Sequence, residues 1–257
     1  MYASQFEKIF QEHKGNIIHK WQHYFEIYER HFQRYKNKKV VILEIGVYRG
    51  GSLEMWRKFF GPQCEIIGVD INPLCKRFED EKTKIFIGSQ DDREFLRELK
   101  SEISKVDILI DDGGHMMDQL KITFEELYDC VAEDGVYLVE DLHTCYWPAY
   151  EGGYKRKNSF IEYCKDLVDQ LNAWHSQQKH FKRTSFTAAT HSMHFYDSVV
   201  VFEKRKMKKP FHLLSGLQDD KEIISEPPKI RSWWKKISNK FYRIKYAHNR
   251  KTGSDLS

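Results

Sequence analysis

Val40-Val41-Ile42-Leu43-Glu44-Ile45-Gly46-Val47-Tyr48-Arg49-Gly50-Gly51-Ser52 runs from an apolar, β-branched stretch through a glycine turn into a helical pattern over residues 53–60. Such a run reads as a buried strand feeding a helix. The unit then repeats. Residues 65–69 form a second strand pattern ending in Asp70, 84–87 a third, 106–110 a fourth and 136–139 a fifth, with helical patterns over 92–102 and 119–131. Strands alternating with helices predict an α/β chain with a doubly wound, Rossmann-like and mostly parallel sheet. Further on, residues 144–157, rich in Tyr, Trp, Gly and Pro, read as a loop over the site and a candidate lid, and 160–174 as an amphipathic helix. Residues 194–202 read as two short strands joined at Asp197-Ser198, which adds an antiparallel strand at the C-terminal end of the sheet.

The flanks are simpler. Phe6, Phe10, Ile17, Trp21, Tyr24, Phe25, Tyr28 and Phe32 recur at roughly helical spacing, so residues 1–36 read as one or two helices, broken near Gly15, that cover the sheet or a second copy of the chain. The expected organisation is an N-terminal helical segment (1–36), an α/β domain (37–205) and a basic appendage (206–257). With 257 residues and 40% hydrophobic content, the chain can bury one sizeable core. No apolar run reaches a membrane span and the first 14 residues are too charged for a secretory signal, so the expected compartment is the cytoplasm. Five cysteines without a CxxC pair read as reduced, buried thiols.

Chemistry concentrates where the fourth and fifth strands end, at Asp111-Asp112-Gly113-Gly114-His115 and Glu140-Asp141-Leu142-His143. Open α/β sheets bind ligands outside the carboxyl ends of their strands, so these carboxylates and imidazoles point to a metal site with a base beside it. At the first βα turn, a dinucleotide fingerprint would want glycine where Tyr48 stands, and Glu44 would repel a pyrophosphate. A cationic cofactor such as S-adenosylmethionine suits that crevice better, with Asp70 placed for ribose hydroxyls. The competing bland readings are a helix-capping histidine for His115 and a solvated loop pair for Glu140-Asp141. His143 stays open between a second base, a substrate contact and a loop residue, whereas His191 and His194 read as structural.

Glu44-Ile45-Gly46-Val47, Gly50-Gly51-Ser52-Leu53-Glu54-Met55-Trp56, Gly68-Val69-Asp70, Gly88-Ser89-Gln90, Asp111-Asp112-Gly113-Gly114-His115 and Glu140-Asp141 together resemble the metal-dependent sugar O-methyltransferases of macrolide and related natural-product pathways. The likeness spans residues 40–203 and implies a class I methyltransferase fold. It further implies that Glu44, Gly46, Ser52, Asp70, Gln90 and Asp111 line the S-adenosylmethionine pocket and that Asp112, Glu140 and Asp141 hold Mg²⁺ or Mn²⁺. His115 would be the general base, with Asp112 beside it in catalysis. Ser89 departs from the acidic residue of many relatives.

The expected reaction is methyl transfer to a sugar hydroxyl, in a nucleotide sugar, a glycan or another sugar-containing small molecule, with polysaccharide assembly as one setting. The enzyme alternative is an iron hydroxylase of the cephalosporin-hydroxylase-like group using His115, His143 and a carboxylate. The non-enzyme alternative is a membrane-associated scaffold. Ile230, Trp233, Trp234, Ile237, Phe241 and Ile244 stripe a basic tail that would lie on an anionic membrane or pack on its own or another subunit. Nucleic acid is not an expected partner, because the basic face is confined to that appendage.

Overall fold

The computed structural model describes residues 4–216, so the tail stripe over 230–244 lies outside the described residues. Seven strands form one sheet in the order β3-β2-β1-β4-β5-β7-β6. They are β1 (Val40–Ile45), β2 (Cys64–Asp70), β3 (Thr83–Ile87), β4 (Val106–Asp111), β5 (Val131–Val139), β6 (Thr190–Tyr196) and β7 (Val199–Lys204). All neighbours pair in parallel up to β5, and β7 runs antiparallel to both β5 and β6. The doubly wound expectation and the hairpin at Asp197-Ser198 are therefore what the chain builds.

Successive strand residues go to opposite faces, and both faces are covered, as parallel sheets require. Ile42, Ile66, Ile108, Ile110 and Leu138 pack on one side, beneath α1 (Gln5–Gln11), α2 (Tyr24–Phe32) and α3 (Gly51–Phe60). Leu43, Ile45, Leu109, Tyr137 and Val139 pack on the other, beneath α4 (Arg93–Glu102), α5 (Met117–Leu127) and α6 (Phe160–Leu171). A short α7 (Ser185–Ala189) precedes β6.

The N-terminal periodicity yields two helices with an irregular strap, residues 12–23, between them. Asn16 explains the break: its backbone N–H and side-chain amide both donate to Glu54 on α3, at 3.2 and 2.6 Å, so the strap spends its polar groups on a neighbour instead of on itself. It passes so close to α3 that a β-carbon at Gly51 would collide with the carbonyl oxygens of Asn16 and Ile17. Phe6 anchors α1 by stacking on Phe59 at 3.8 Å between ring centroids and meeting Tyr28 and Trp56 edge-on. Because Phe6 is fully buried, Phe6→Ala should cost about 3–5 kcal/mol of folding stability, read as a lower urea midpoint.

Several boundaries differ from expectation, among them the first hairpin strand, which begins at Thr190 and not at His194. The helix over 119–131 stops at Leu127, and Val131 instead opens β5 opposite Val106, where a β-branched side chain packs well. The 160–174 helix ends at Leu171 with Asn172 as its C-cap. Residues 144–157 are folded into short 3₁₀ turns, Leu142–Tyr146 and Pro148–Tyr150, closed by Gly153 N–H donating to the Cys145 carbonyl at 2.8 Å.

On the outer strands β6 and β7, His31 joins α2 to the hairpin, its Nδ1 2.9 Å from Glu203 and its Nε2 2.9 Å from the Tyr196 hydroxyl. Burial lowers the His31 pKa despite the carboxylate. A base whose folded pKa is depressed binds protons more readily when unfolded, so its contribution is lost as pH falls below about 6.5. The thermal midpoint should therefore fall between pH 7 and pH 5.5, and less steeply in His31→Gln; equal slopes would contradict this assignment. All five cysteines are free and buried.

Candidate active site

Strand register lines up the site. Ile45 pairs with Val69 and Asp111, and Asp111 with Val139, so the residues that follow emerge at one level of the sheet's carboxyl edge. Backbone bonds continue the alignment past the strands: Gly46 N–H to Val69, Asp112 N–H to Ile45 and Glu140 N–H to Asp111, each at 2.8 or 2.9 Å. Gly46 has φ +93°, and a β-carbon there would strike the Asp112 carbonyl. Only glycine lets the two loops touch. Gly46→Ala should push the Asp112 loop away and weaken S-adenosylhomocysteine binding by at least about tenfold, or 1.4 kcal/mol, in calorimetric titration.

Asp112 and Glu140 converge on one cation. The Lys20 ammonium, carried by the strap, donates to Asp112 Oδ2 at 2.5 Å and to Glu140 Oε2 at 2.9 Å, with its side chain 2% exposed. The other Glu140 oxygen accepts the Tyr28 hydroxyl at 2.7 Å. Sequence reading missed Lys20, Tyr24 and Tyr28 as site residues. The tyrosines were hidden in an apolar helical stripe, and the signal for Lys20 was indirect: that many buried carboxylates require a cation from somewhere.

His115 and Asp141 form the outer half. Both hold left-handed backbone, φ 58° and 55°, which non-glycine residues adopt at a cost of about 1–3 kcal/mol and which clusters at functional sites. His115 Nε2 lies 3.7 Å from Asp112 Oδ1 and 3.5 Å from Asp141 Oδ2, while its buried Nδ1 has no hydrogen-bond partner. Asp141 Oδ1 accepts the Tyr24 hydroxyl at 2.7 Å. His143 turns aside. Its Nδ1 sits 2.5 Å from Ser198 Oγ, and its ring lies between Trp21 and Trp147.

Among the described residues two groups could share an ion. Asp112, His115 and Asp141 form one, which Glu140, held by Lys20 and Tyr28, does not join as it stands; the other, His31, His194 and Glu203, already has Arg34 4.0 Å from its carboxylate. His143 belongs to neither, so the two-histidine facial triad is not assembled.

A cavity of about 440 Å³ opens beside this cluster, lined by Gly46, Asp70, Gln90, Asp112, His115, Glu140 and Asp141 together with His19, Lys20 and Trp21 of the strap. Not every anticipated cofactor residue reaches it. Glu44 is fully buried beneath the loop, where it accepts from Ser52 Oγ at 2.9 Å and Trp56 Nε1 at 3.0 Å; neither Glu44 nor Ser52 lines the cavity. Asp111 is likewise fully buried, with Oδ1 accepting from Gln90 Nε2 at 3.1 Å, and Gln90 Oε1 receives the Gly114 N–H. Glu44 and Asp111 brace the walls from behind, because these strand positions point into the core, whereas Gln90 both lines the cavity and holds Asp111. Asp70 does face the cavity, with backbone N–H groups of Tyr48 and Asn72 each 2.8 Å from its carboxylate oxygens.

Negative charge is in excess here. Burial pushes Glu44 and Asp111 up to about 7, and burial with the neighbouring Asp112 charge pushes Glu140 up to about 8, although Lys20 opposes the shift at Glu44 and Glu140. Burial alone would lower the Lys20 pKa; Asp112, Glu140 and Glu44 outweigh it and hold the ammonium charged. The geometry thus sets two carboxylates around one ammonium, an imidazole beside them and the Asp70 carboxylate on the same cavity wall.

No protein-family model matches the chain. Individual proteins do. The chain is 34% identical over 195 residues to a rhamnosyl-tetracenomycin-C 3'-O-methyltransferase of Streptomyces olivaceus, covering 72% of this chain and 50% of that protein. It is 40% identical over 133 residues to mycinamicin VI 2''-O-methyltransferase of Micromonospora griseorubida, covering 49% and 33%. Among solved structures, the MycE methyltransferase of the mycinamycin pathway, in complex with Mg, S-adenosylhomocysteine and mycinamycin VI, superposes with a TM-score of 0.69 at 28% identity, over 79% of this chain and 53% of that one. The chain spans half or less of the length of these curated relatives. The shared part carries the class I methyltransferase fold anticipated from the motifs.

Proposed function

We propose that this chain, a homologue of the sugar O-methyltransferases of antibiotic pathways, transfers a methyl group from S-adenosylmethionine to a sugar hydroxyl. The observation that carries the reading is the convergence of Asp112 and Glu140 on a single cation at a cavity that Asp70 and His115 also line. The Lys20 ammonium acts as a stand-in ion there and shows that the two carboxylates can share one positive charge. All-oxygen donors fit a hard divalent ion, so Asp112, Glu140 and Asp141 would hold Mg²⁺ or Mn²⁺. When bound, that ion supplies positive charge that acidifies a nearby sugar hydroxyl, and the sulfonium of the methyl donor supplies the electrophilic carbon.

His115 Nε2 takes the hydroxyl proton. The imidazolium so formed is stabilised by Asp112 and Asp141, which stand on either side of the ring nitrogen. Tyr24 and Tyr28 hold Asp141 and Glu140 in their orientations through short hydroxyl donations. Gly46 would let loop backbone approach the methyl donor, and Asp70 would accept its ribose hydroxyls. Exposed Trp147, packed on His143, would offer an apolar face to the acceptor. The relatives named above act on sugars carried by antibiotics, which favours a glycosylated small molecule as acceptor over a polymer.

Purified protein given S-adenosylmethionine, Mg²⁺ and a panel of glycosylated small molecules and nucleotide sugars should release S-adenosylhomocysteine, and EDTA should stop the release. If none is released from any acceptor and titration detects no S-adenosylhomocysteine binding, the reading is wrong.

A further inference from the structure

The strap places a fixed lysine charge in the seat assigned above to a divalent ion. We infer that Lys20 and the divalent cation exclude one another, so that metal binding drives the strap, residues 12–23, out of the acidic seat. This inference rests on the metal reading of Asp112, Glu140 and Asp141. Lys20 fills the space between Asp112 Oδ2 and Glu140 Oε2, the two oxygens that face each other across the seat. A divalent ion accepting either oxygen would stand within a few ångströms of the ammonium, in surroundings where solvent cannot screen the two charges.

The middle of the strap is built to leave. It has no helix or strand of its own, and its side chains at Ile17 and Trp21 are 55% and 52% exposed. The strap's two ends are tethered, by His13 and Asn16 to Glu54 on α3 and by His23 Nε2 3.1 Å from the Asp197 carbonyl, with Ile18 packed on the core; between them the Lys20 ion pairs hold the stretch that lines the cavity, so their loss frees that stretch while the ends stay in place. Without metal, Lys20 neutralises part of the carboxylate crowd and holds the cavity wall shut. With metal, that service is no longer needed. His19, Lys20 and Trp21 line the same cavity, so their departure would widen it on the acceptor side.

Wild type, Lys20→Met and Gly51→Ala are titrated with MnCl₂ in the presence of S-adenosylhomocysteine, and hydrogen exchange of residues 16–22 is followed with and without Mn²⁺. Gly51→Ala tests the strap independently, because its added methyl pushes against the Asn16 and Ile17 carbonyls without touching any charge. The expected result is Mn²⁺ affinity at least tenfold higher in Lys20→Met, higher also in Gly51→Ala, and faster exchange of the strap in wild type once Mn²⁺ saturates. Raised affinity in Lys20→Met with a strap that stays protected in saturated wild type would show simple charge removal and overturn the inference. Equal affinities in all three proteins would overturn it while leaving the metal reading intact. Absence of Mn²⁺ binding in every variant would overturn both.

Discussion

Asp112→Asn lowers the rate of S-adenosylhomocysteine release by about a thousandfold or more while leaving the protein folded. Asp112 reaches both Lys20 and His115, with Oδ2 on the cation seat and Oδ1 facing the imidazole. An amide keeps the shape and removes the charge, so the seat loses a ligand and the imidazolium loses a counter-charge together, and such coupled losses reach this size. The fold should survive because Asp112 is one of the causes that push Glu140, Glu44 and Asp111 up, and removing its charge relieves that repulsion. Calorimetric Mn²⁺ titration should show the affinity loss directly, with circular dichroism unchanged. A variant that keeps a tenth of the wild-type rate would exclude Asp112 from the chemistry.

His115→Asn should cost about 10²- to 10⁴-fold in kcat with KM little changed, the range expected when a positioned base is lost. Asparagine suits this position because it tolerates the left-handed backbone, φ 58°, that aims the ring. Loss of activity then reports the missing base and not a distorted loop. The remaining activity should rise with pH as hydroxide replaces the imidazole. A KM effect without a kcat effect would make His115 a binding residue instead.

Much of this was legible in the residues alone. β1, β2 and β4 are mostly apolar runs, interrupted only by Glu44, Glu65 and Asp107, that lead into Gly46, Asp70 and Asp111-Asp112, and a parallel sheet covered on both faces favours that pattern. The clusters after β4 and β5 could be placed together because adjacent parallel strands end at the same edge. Side-chain direction was less legible. Glu44 and Asp111, at the ends of β1 and β4, and Ser52, in the first turn of α3, lie at the right edge but are buried, and sequence spacing does not distinguish the wet face of a strand end from the dry one. Lys20 was illegible for a stronger reason: it reaches Asp112 and Glu140 from 92 and 120 residues away, through a strap whose path is set by contacts with α3 and not by any periodicity of its own.

Crystals grown with Mn²⁺ and S-adenosylhomocysteine, measured for anomalous scattering, test the central claim most directly. A single peak within coordination distance of Asp112, Glu140 and Asp141, with the ribose of S-adenosylhomocysteine on Asp70 and Lys20 Nζ withdrawn, is the predicted result. A cavity that holds S-adenosylhomocysteine while Lys20 still bridges Asp112 and Glu140, with no anomalous peak between them, would contradict the account.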